Sequence, residues 1–591
     1  MNRYLLALAI GTAAIATPVP AKAPVAKAET SEDARFTAFG DRVIDGYLKL
    51  DPVYATQLGD HRYDNRLTDV SAAGRAARLA FAQQSLAQLA KFDRSKLSRE
   101  HQVDAIMLKD QLDYVVFSDR RLQDWAWDPL TYAGTLGGAL FGLQAREFAP
   151  LPVRLRAATG RLEALPNFLA QAKASLDPAR VPLIHAQTAA KQNAGVNSLI
   201  DGFLSDKGKL PLVEQVRLQK AADAAKAAVA DYQTWLDKTL VPNAKGNERI
   251  GAALYDEKLR LALESSLSRQ EIKERAQRLF DDLRAKMYGV SAEMIKGRAG
   301  APPAPANPTP AQQQAVIDAG LAIIYADAPP REQVIPFAQQ SLTGAIAFAK
   351  SHNIVSFPKA DWRVIEMPEY ARGSAVAYAD MPGALEKDQS GYFAVMPIPS
   401  DWSAEQAGSF LREYNKWAIH ELTLHEGVPG HLLQLTHSNQ YKSRLRAALG
   451  SGPMVEGWAC YGQDVMADAG YLNRDPRYLL AHYKFQMRLP VNALLDQGFH
   501  VDGMTRDQAM ELMTKGAFQE EREAAGKWVR MQLSSAQLPT YFVGYQEWKE
   551  FRAAAEKRPG FNLKRFHDSA LSHGSPPVRF IRELTFGEPI N

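Results

Sequence analysis

A run of helix-forming residues near position 420 carries too many potential metal ligands, and too abrupt a break, to be an ordinary core helix. From Trp417 to Gln434 the chain reads Trp-Ala-Ile-His-Glu-Leu-Thr-Leu-His-Glu-Gly-Val-Pro-Gly-His-Leu-Leu-Gln, placing three of its twelve histidines and two glutamates within twelve positions. Two histidines on one helix converge on zinc when spaced i, i+4, as in His-Glu-x-x-His, where the Glu is the general base. That literal pattern is absent. Two registers compete: His420-Glu421 with His425, five apart, and His425-Glu426 with His431, six apart. On an unbroken helix those spacings turn the second side chain by about 140° or about 120° from the first. Only the second pair contains a remedy. Pro429 removes a backbone hydrogen bond and Gly430 tolerates unusual dihedrals, so a bulge is expected to bring His431 back towards His425.

A third ligand is expected from Glu456, in Glu-Gly-Trp-Ala-Cys-Tyr461, which follows His431 by 25 residues and leaves room for an antiparallel helical return. Three protein ligands leave one position of a tetrahedral zinc open for chemistry. The expected centre is one Zn²⁺ per chain on His425, His431 and Glu456, with Glu426 as base for the attacking water. Chance clustering is the alternative, and two motifs in the right order around a helix-breaking Pro-Gly argue against it. A lone helical histidine is more often core or cap than ligand, which is the expectation for His420, and His437 is assigned to the surface.

The rest of the chain reads as one large, mostly helical body. Phe36, Phe39, Val43, Ile44, Tyr47 and Leu48 form an amphipathic stripe that Asp51-Pro52 stops. Helix-forming composition recurs at about 72–91, 153–175, 213–240 and 269–296. Residues 301–310, with five prolines in ten positions, are expected to be an exposed loop. Short β-branched and aromatic runs at Trp362–Met367, Ser374–Ala379 and Tyr392–Met396 predict a small sheet just before the histidines. Residues 1–23, with Arg3, an apolar run to Ala16 and Ala21-Lys-Ala23, read as a signal peptide. That run is too short to span a bilayer, so no stable membrane insertion is expected after cleavage. Residues 24–34 are expected to be a flexible tail and 35–591 a single catalytic unit. A periplasmic or secreted location follows, and no cysteine after the apolar run argues against lipidation. The sole cysteine, Cys460, rules out an intramolecular disulfide. With 46% hydrophobic and 23% charged residues, a formal charge of +4 and no basic block, the chain offers nothing to nucleic acid. Oligomeric state is not legible.

His425-Glu-Gly-Val-Pro-Gly-His431 with Glu456-Gly-Trp-Ala resembles a large bacterial family long catalogued as a domain of unknown function and related to gluzincin peptidases. The resemblance extends over Asp51-Pro-Val-Tyr-Ala-Thr-Gln-Leu-Gly59, Arg488 to Asp496, His500 to Ala509, Pro539 to Tyr545 and Gly574-Ser-Pro576. It implies a mainly α, two-lobed helical metallopeptidase-like fold with a central cleft, similar to angiotensin-converting enzyme and the oligopeptidases. It also implies Tyr545 or His500 as oxyanion donor and Arg488 as a substrate contact; beside these, Tyr541 is a close rival to Tyr545 and a candidate substrate contact, and Arg530 is a second candidate for the substrate carboxylate. The chain departs from the family where Gln463 replaces the usual Glu, and where Tyr541 and Gly544 replace Gln and Ser; Asp464 is the candidate replacement carboxylate.

The expected activity is zinc-dependent hydrolysis of short peptides, as a carboxypeptidase or dipeptidyl carboxypeptidase if a cationic anchor such as Arg488 or Arg530 is present. Tyr392–Met396 is expected to accept the peptide as an added strand. The rival readings are an amidase acting on a non-peptide or cell-wall amide and a non-catalytic metal-binding protein.

Overall fold

A computed structural model of the chain describes residues 31–368, 372, 376–386 and 389–590. The signal-peptide segment lies outside them. Of the expected tail, residues 31–34 are helical, because the first helix begins at Ser31 and runs to Leu50; residues 24–30 lie outside the described residues. Asp51-Pro52 ends that helix and starts another: the Asp51 carboxylate accepts from the Tyr54 N–H, and Pro52 occupies the first position of Pro52–Leu58, where no N–H is needed. The same device closes the Pro-rich loop, where Thr309 and Gln312 form a capping box and Pro310 opens the helix Pro310–Tyr325. The expected helices are present as Ala72–Leu89, Leu151–Ser175, Leu212–Trp235 and Arg269–Ile295.

The fold is mainly α with one three-stranded sheet: β1 (Trp362–Glu366), β2 (Ala377–Asp380) and β3 (Gly391–Val395), in the order β1-β3-β2. β1 runs parallel to β3 and β2 antiparallel to it. Residues 374 and 375 of the second expected strand lie outside the described residues. One expectation fails here: Tyr392–Met396 cannot take an added peptide, because β3 is hydrogen-bonded on both sides. The edge nearest the histidines belongs to β2.

Helices between residues 129 and 240 enclose their own apolar core, built on Leu140, Leu155, Leu162, Leu165 and Ile200. A larger core beneath the sheet takes Phe393, Leu424, Leu432, Trp458, Tyr461 and Trp548. Polar ties join the two halves of the chain. Arg446 reaches the Asp104 carboxylate at 2.5 Å with both side chains buried, and Arg146 binds Asp380 on β2 and the Ser390 carbonyl beside β3.

The helices Gly452–Asp468 and Pro539–Glu556 cross with almost no space between their backbones. A Cβ on Gly544 would lie 1.8 Å from the Pro453 carbonyl oxygen, and one on Gly457 would lie 2.2 Å from the Gly544 carbonyl carbon. Glycine at both positions is thus a packing requirement, and the crossing carries Glu456 and Tyr541 to the same region. Gly544→Ala is expected to force the helices apart and cost about 1–3 kcal/mol or more, an overpacking effect, read as a fall in the thermal midpoint. An unchanged midpoint would show that the crossing is not tight.

Candidate metal centre

The helix Lys416–Glu426 is capped by Asn415, whose side-chain oxygen accepts from the N–H groups of Trp417 and Ala418. It presents His425 and Glu426 at its last two positions and stops. Gly427 and Gly430 leave helical dihedrals, with φ/ψ of −98°/−104° and −68°/−135°, and a new helix, His431–Ser438, starts on the second ligand. The helix therefore breaks, where the spacing alone suggested a bulge. The break is held closely: the Gly430 N–H donates to the Leu424 carbonyl at 3.0 Å, and any Cβ at Gly430 would stand 1.8 Å from the His425 carbonyl oxygen. From the opposite side the buried Trp458 indole N–H donates to the Pro429 carbonyl at 2.8 Å. The Glu-Gly-Trp segment thus fixes the turn between the histidines while supplying the third member of the cluster, Glu456.

Nε2 of His425 and Nε2 of His431 lie 3.5 and 3.3 Å from Glu456 Oε2. One ligand atom from each of these three residues falls within 4.8 Å of the others. Ligand bonds of about 2.0–2.1 Å to a tetrahedral zinc put neighbouring donors about 3.3–3.4 Å apart, so the donor set and its spacing fit that ion. Glu456 Oε2 makes no well-formed hydrogen bond among the described residues, and its nearest polar neighbours are the two imidazoles. Burial works to raise Glu456, but the imidazoles of His431 and His425 outweigh it and hold the group well below the usual carboxylate range. Glu426 behaves oppositely. Burial, reinforced by Glu456, pushes it up to about 7 against the pull of His425 and of the Ala379 N–H, which donates to its Oε2 at 3.0 Å.

His425, Glu426, Arg488, Arg530 and Tyr541 all line a cleft of about 520 Å³ whose walls come from residues 376–541. Tyr541 stacks near His425, with ring centroids 6.4 Å apart and an interplanar angle of 23°, and its oxygen accepts from Arg530 at 3.2 Å. Two expected residues are not brought there. Tyr545 lies one turn further along its helix and donates its hydroxyl to Asp464 at 2.6 Å in the interior, and His500 stacks on Tyr255 with Nε2 on the Ser534 carbonyl. Arg488 is at the cleft but already engaged, donating to Glu413 at 2.6 Å. His420 bonds Ser341 away from the ligands. His437, expected at the surface, is half-buried and contacts the Ser356 carbonyl.

Behind the ligands lies a charged layer that the sequence does not announce. His482 sits fully inside, 3.0 Å from Glu421 and 3.2 Å from Asp464. Asp464, the candidate replacement carboxylate, also accepts from Tyr545 and Lys549 and has no bond to the triad among the described residues. Gln463 donates to Glu421 at 2.8 Å, so the amide supplies a proton that a second carboxylate there could not. Gln486 links Asp464 to the carbonyl of Cys460, whose sulfur is 3.8 Å from His425 Nδ1.

Burial opposes charge on His482, yet Glu421 and Asp464 raise it to about 10. A folded value above the unfolded one, about 6.5, means that its stabilisation is complete below about pH 6.5 and is lost as pH climbs through about 10. Wild-type thermal midpoints are expected to fall between pH 7 and 10, and His482→Gln to be less stable at pH 6.5 with a shallower fall. Parallel curves for the two proteins would contradict this placement of charge.

Residues 52–584 match the model of a family described as "Bacterial protein of unknown function (DUF885)". A solved structure described as a "putative lipoprotein of unknown function" from Shewanella oneidensis is similar, with 31% identity, a TM-score of 0.79, and 93% of this chain and 99% of that one covered. A second, described as a "putative lipoprotein" from Colwellia psychrerythraea, shares the fold at 16% identity and a TM-score of 0.76, covering 94% of this chain and 99% of that one. No curated protein matches the chain. No helix among the described residues is long and apolar enough to cross a membrane. The chain belongs to this bacterial family of unknown function.

Proposed function

We propose that this family member is an exported, zinc-dependent peptidase acting on short peptides. The observation that carries the reading is the 3.3 and 3.5 Å spacing of Glu456 from the two imidazoles, with a raised carboxylate, Glu426, beside them at a cleft. His425, His431 and Glu456 would hold the ion. Bound there, zinc would supply Lewis acidity, polarising the scissile carbonyl and acidifying the attacking water.

The protein's own groups account for the remaining steps. Glu426 accepts the proton of the attacking water and returns it to the leaving amine, and its value near 7 suits both directions. The Ala379 N–H fixes the aim of that carboxylate. Tyr541, whose oxygen accepts from Arg530, keeps its own O–H free to donate to the oxyanion. β2 is an edge strand whose Ala379 N–H is taken by Glu426, and Ala377 lines the cleft, so an extended peptide is expected to pair with the Ala377 backbone. Residues 1–23 serve as the export signal, which agrees with a similar protein being described as a lipoprotein.

Protein loaded with zinc and freed of excess is expected to hold one ion per chain and to cleave a mixed peptide pool. Glu426→Gln should keep the zinc and lose about 10²–10⁴-fold in turnover, whereas His431→Ala should lose the zinc itself. Tyr541→Phe should keep the metal and lose about 10²–10³-fold in kcat. Wild-type turnover in Glu426→Gln, or wild-type zinc in His431→Ala, would overturn the reading.

A further inference from the structure

The cleft wall opposite β2 carries four cations, Arg488, Arg522, Lys527 and Arg530, among the carboxylates Glu413, Glu520 and Glu523. Most of those charges are already matched. Glu413 is held by Lys484 at 2.7 Å and Arg488 at 2.6 Å, Glu520 by Arg412 at 2.7 Å, and Glu523 faces Arg488 at 3.6 Å. Arg522 lies over the Trp402 ring, 4.1 Å from its centroid. Arg530 spends its guanidinium on neutral partners, Gln537 and the Tyr541 hydroxyl. Lys527 alone among these cations enters no hydrogen bond, ion pair or ring contact among the described residues, although it lines the cleft half-buried. Burial, with Arg488 and Arg530 adding to it, pushes its amine down to about 7 against the pull of Glu523 and Glu413, neither of which reaches ion-pair distance.

Lys527 precedes Arg530 by three residues on the helix Glu521–Gln532, so the two lie about one turn apart on one face. Arg530 in turn touches Tyr541, which stacks beside the metal ligand His425. The amine therefore lines the same cleft as the groups assigned to chemistry, about one helical turn from Arg530 and without a hydrogen bond of its own. An anion arriving there would gain a charge-assisted hydrogen bond without displacing any existing partner.

Resting on the peptidase reading, we infer that Lys527 is the anchor for the free α-carboxylate of the substrate, which makes the protein a C-terminal exopeptidase rather than an endopeptidase. Of the two anchors expected from the sequence, Arg488 is already paired with Glu413 and faces Glu523, and Arg530 is engaged by Gln537 and Tyr541. Arg530 positions Tyr541 and adds positive potential beside the anchor.

The test uses the full mature protein, zinc-loaded and metal-free, and two N-acetylated tetrapeptide pools that differ only in ending as a carboxylate or a carboxamide. Zinc-loaded wild type is expected to prefer the acid pool by about 10–100-fold, mostly through KM, the usual range for one hydrogen bond to a charged group. The metal-free protein should bind the acid pool more tightly by a similar factor in calorimetry. Lys527→Met, which breaks no bond in the fold, should lose the preference in both assays, while Arg530→Lys should retain it. Equal cleavage of both pools by wild type, or a preference that survives in Lys527→Met, overturns the anchor while leaving the peptidase reading intact. A Lys527-dependent binding preference with no cleavage of either pool upholds the anchor and overturns the peptidase reading instead. Neither cleavage nor preference overturns both.

Discussion

The site depends on the broken helix between His425 and His431. An intact helix would send the two imidazoles about 120° apart, and no adjustment of side-chain rotamers would bring them to within about 3.5 Å of one carboxylate. The break costs backbone hydrogen bonds, and the chain recovers them locally: Gly430 returns an N–H to Leu424, and Trp458 satisfies the Pro429 carbonyl. Because the same segment that pins the turn also carries Glu456, ligand geometry and core packing are one problem here. The glycine crossing of Gly457 and Gly544 then sets how near Tyr541 comes to the ligands.

Electrostatics divides the two neighbouring glutamates into different roles. Glu456 faces two imidazoles and is held ionised; Glu426, one residue after His425, is buried against Glu456 and an N–H of β2 and is raised. Two nearby carboxylates with opposed shifts are the arrangement the proposed reading requires, one to hold a cation and one to move a proton. Behind them, His482 between Glu421 and Asp464 anchors three helices with buried charge, an arrangement whose partial removal is costly because it strands the remaining charges.

Much of this was legible in the residues. An amphipathic stripe located the first helix, helix-forming composition the long ones, and β-branched or aromatic runs bounded by Pro and Gly all three strands. The cluster of His and Glu around Pro429-Gly430 pointed to the triad because few other segments would tolerate such a break. Strand order was not legible, since which strand lies centrally depends on contacts between segments far apart in sequence, and β3 proved to be the covered one. Tyr541 and Tyr545 stand four apart on one helix, and only the position of Asp464 decides that the second points inward. His500 was misassigned because nothing local reveals the Ser534 carbonyl that holds it. His482 is 61 residues from Glu421, and Lys527 is one basic residue among many, distinguished only by the partner it lacks.

The account turns on where a metal sits. Anomalous diffraction from zinc-loaded crystals, collected on both sides of the zinc absorption edge, is the most direct measurement. The account predicts one strong peak about 2.0–2.1 Å from Nε2 of His425, Nε2 of His431 and a Glu456 carboxylate oxygen. A peak elsewhere, or none at these residues in protein with measured zinc, would contradict it.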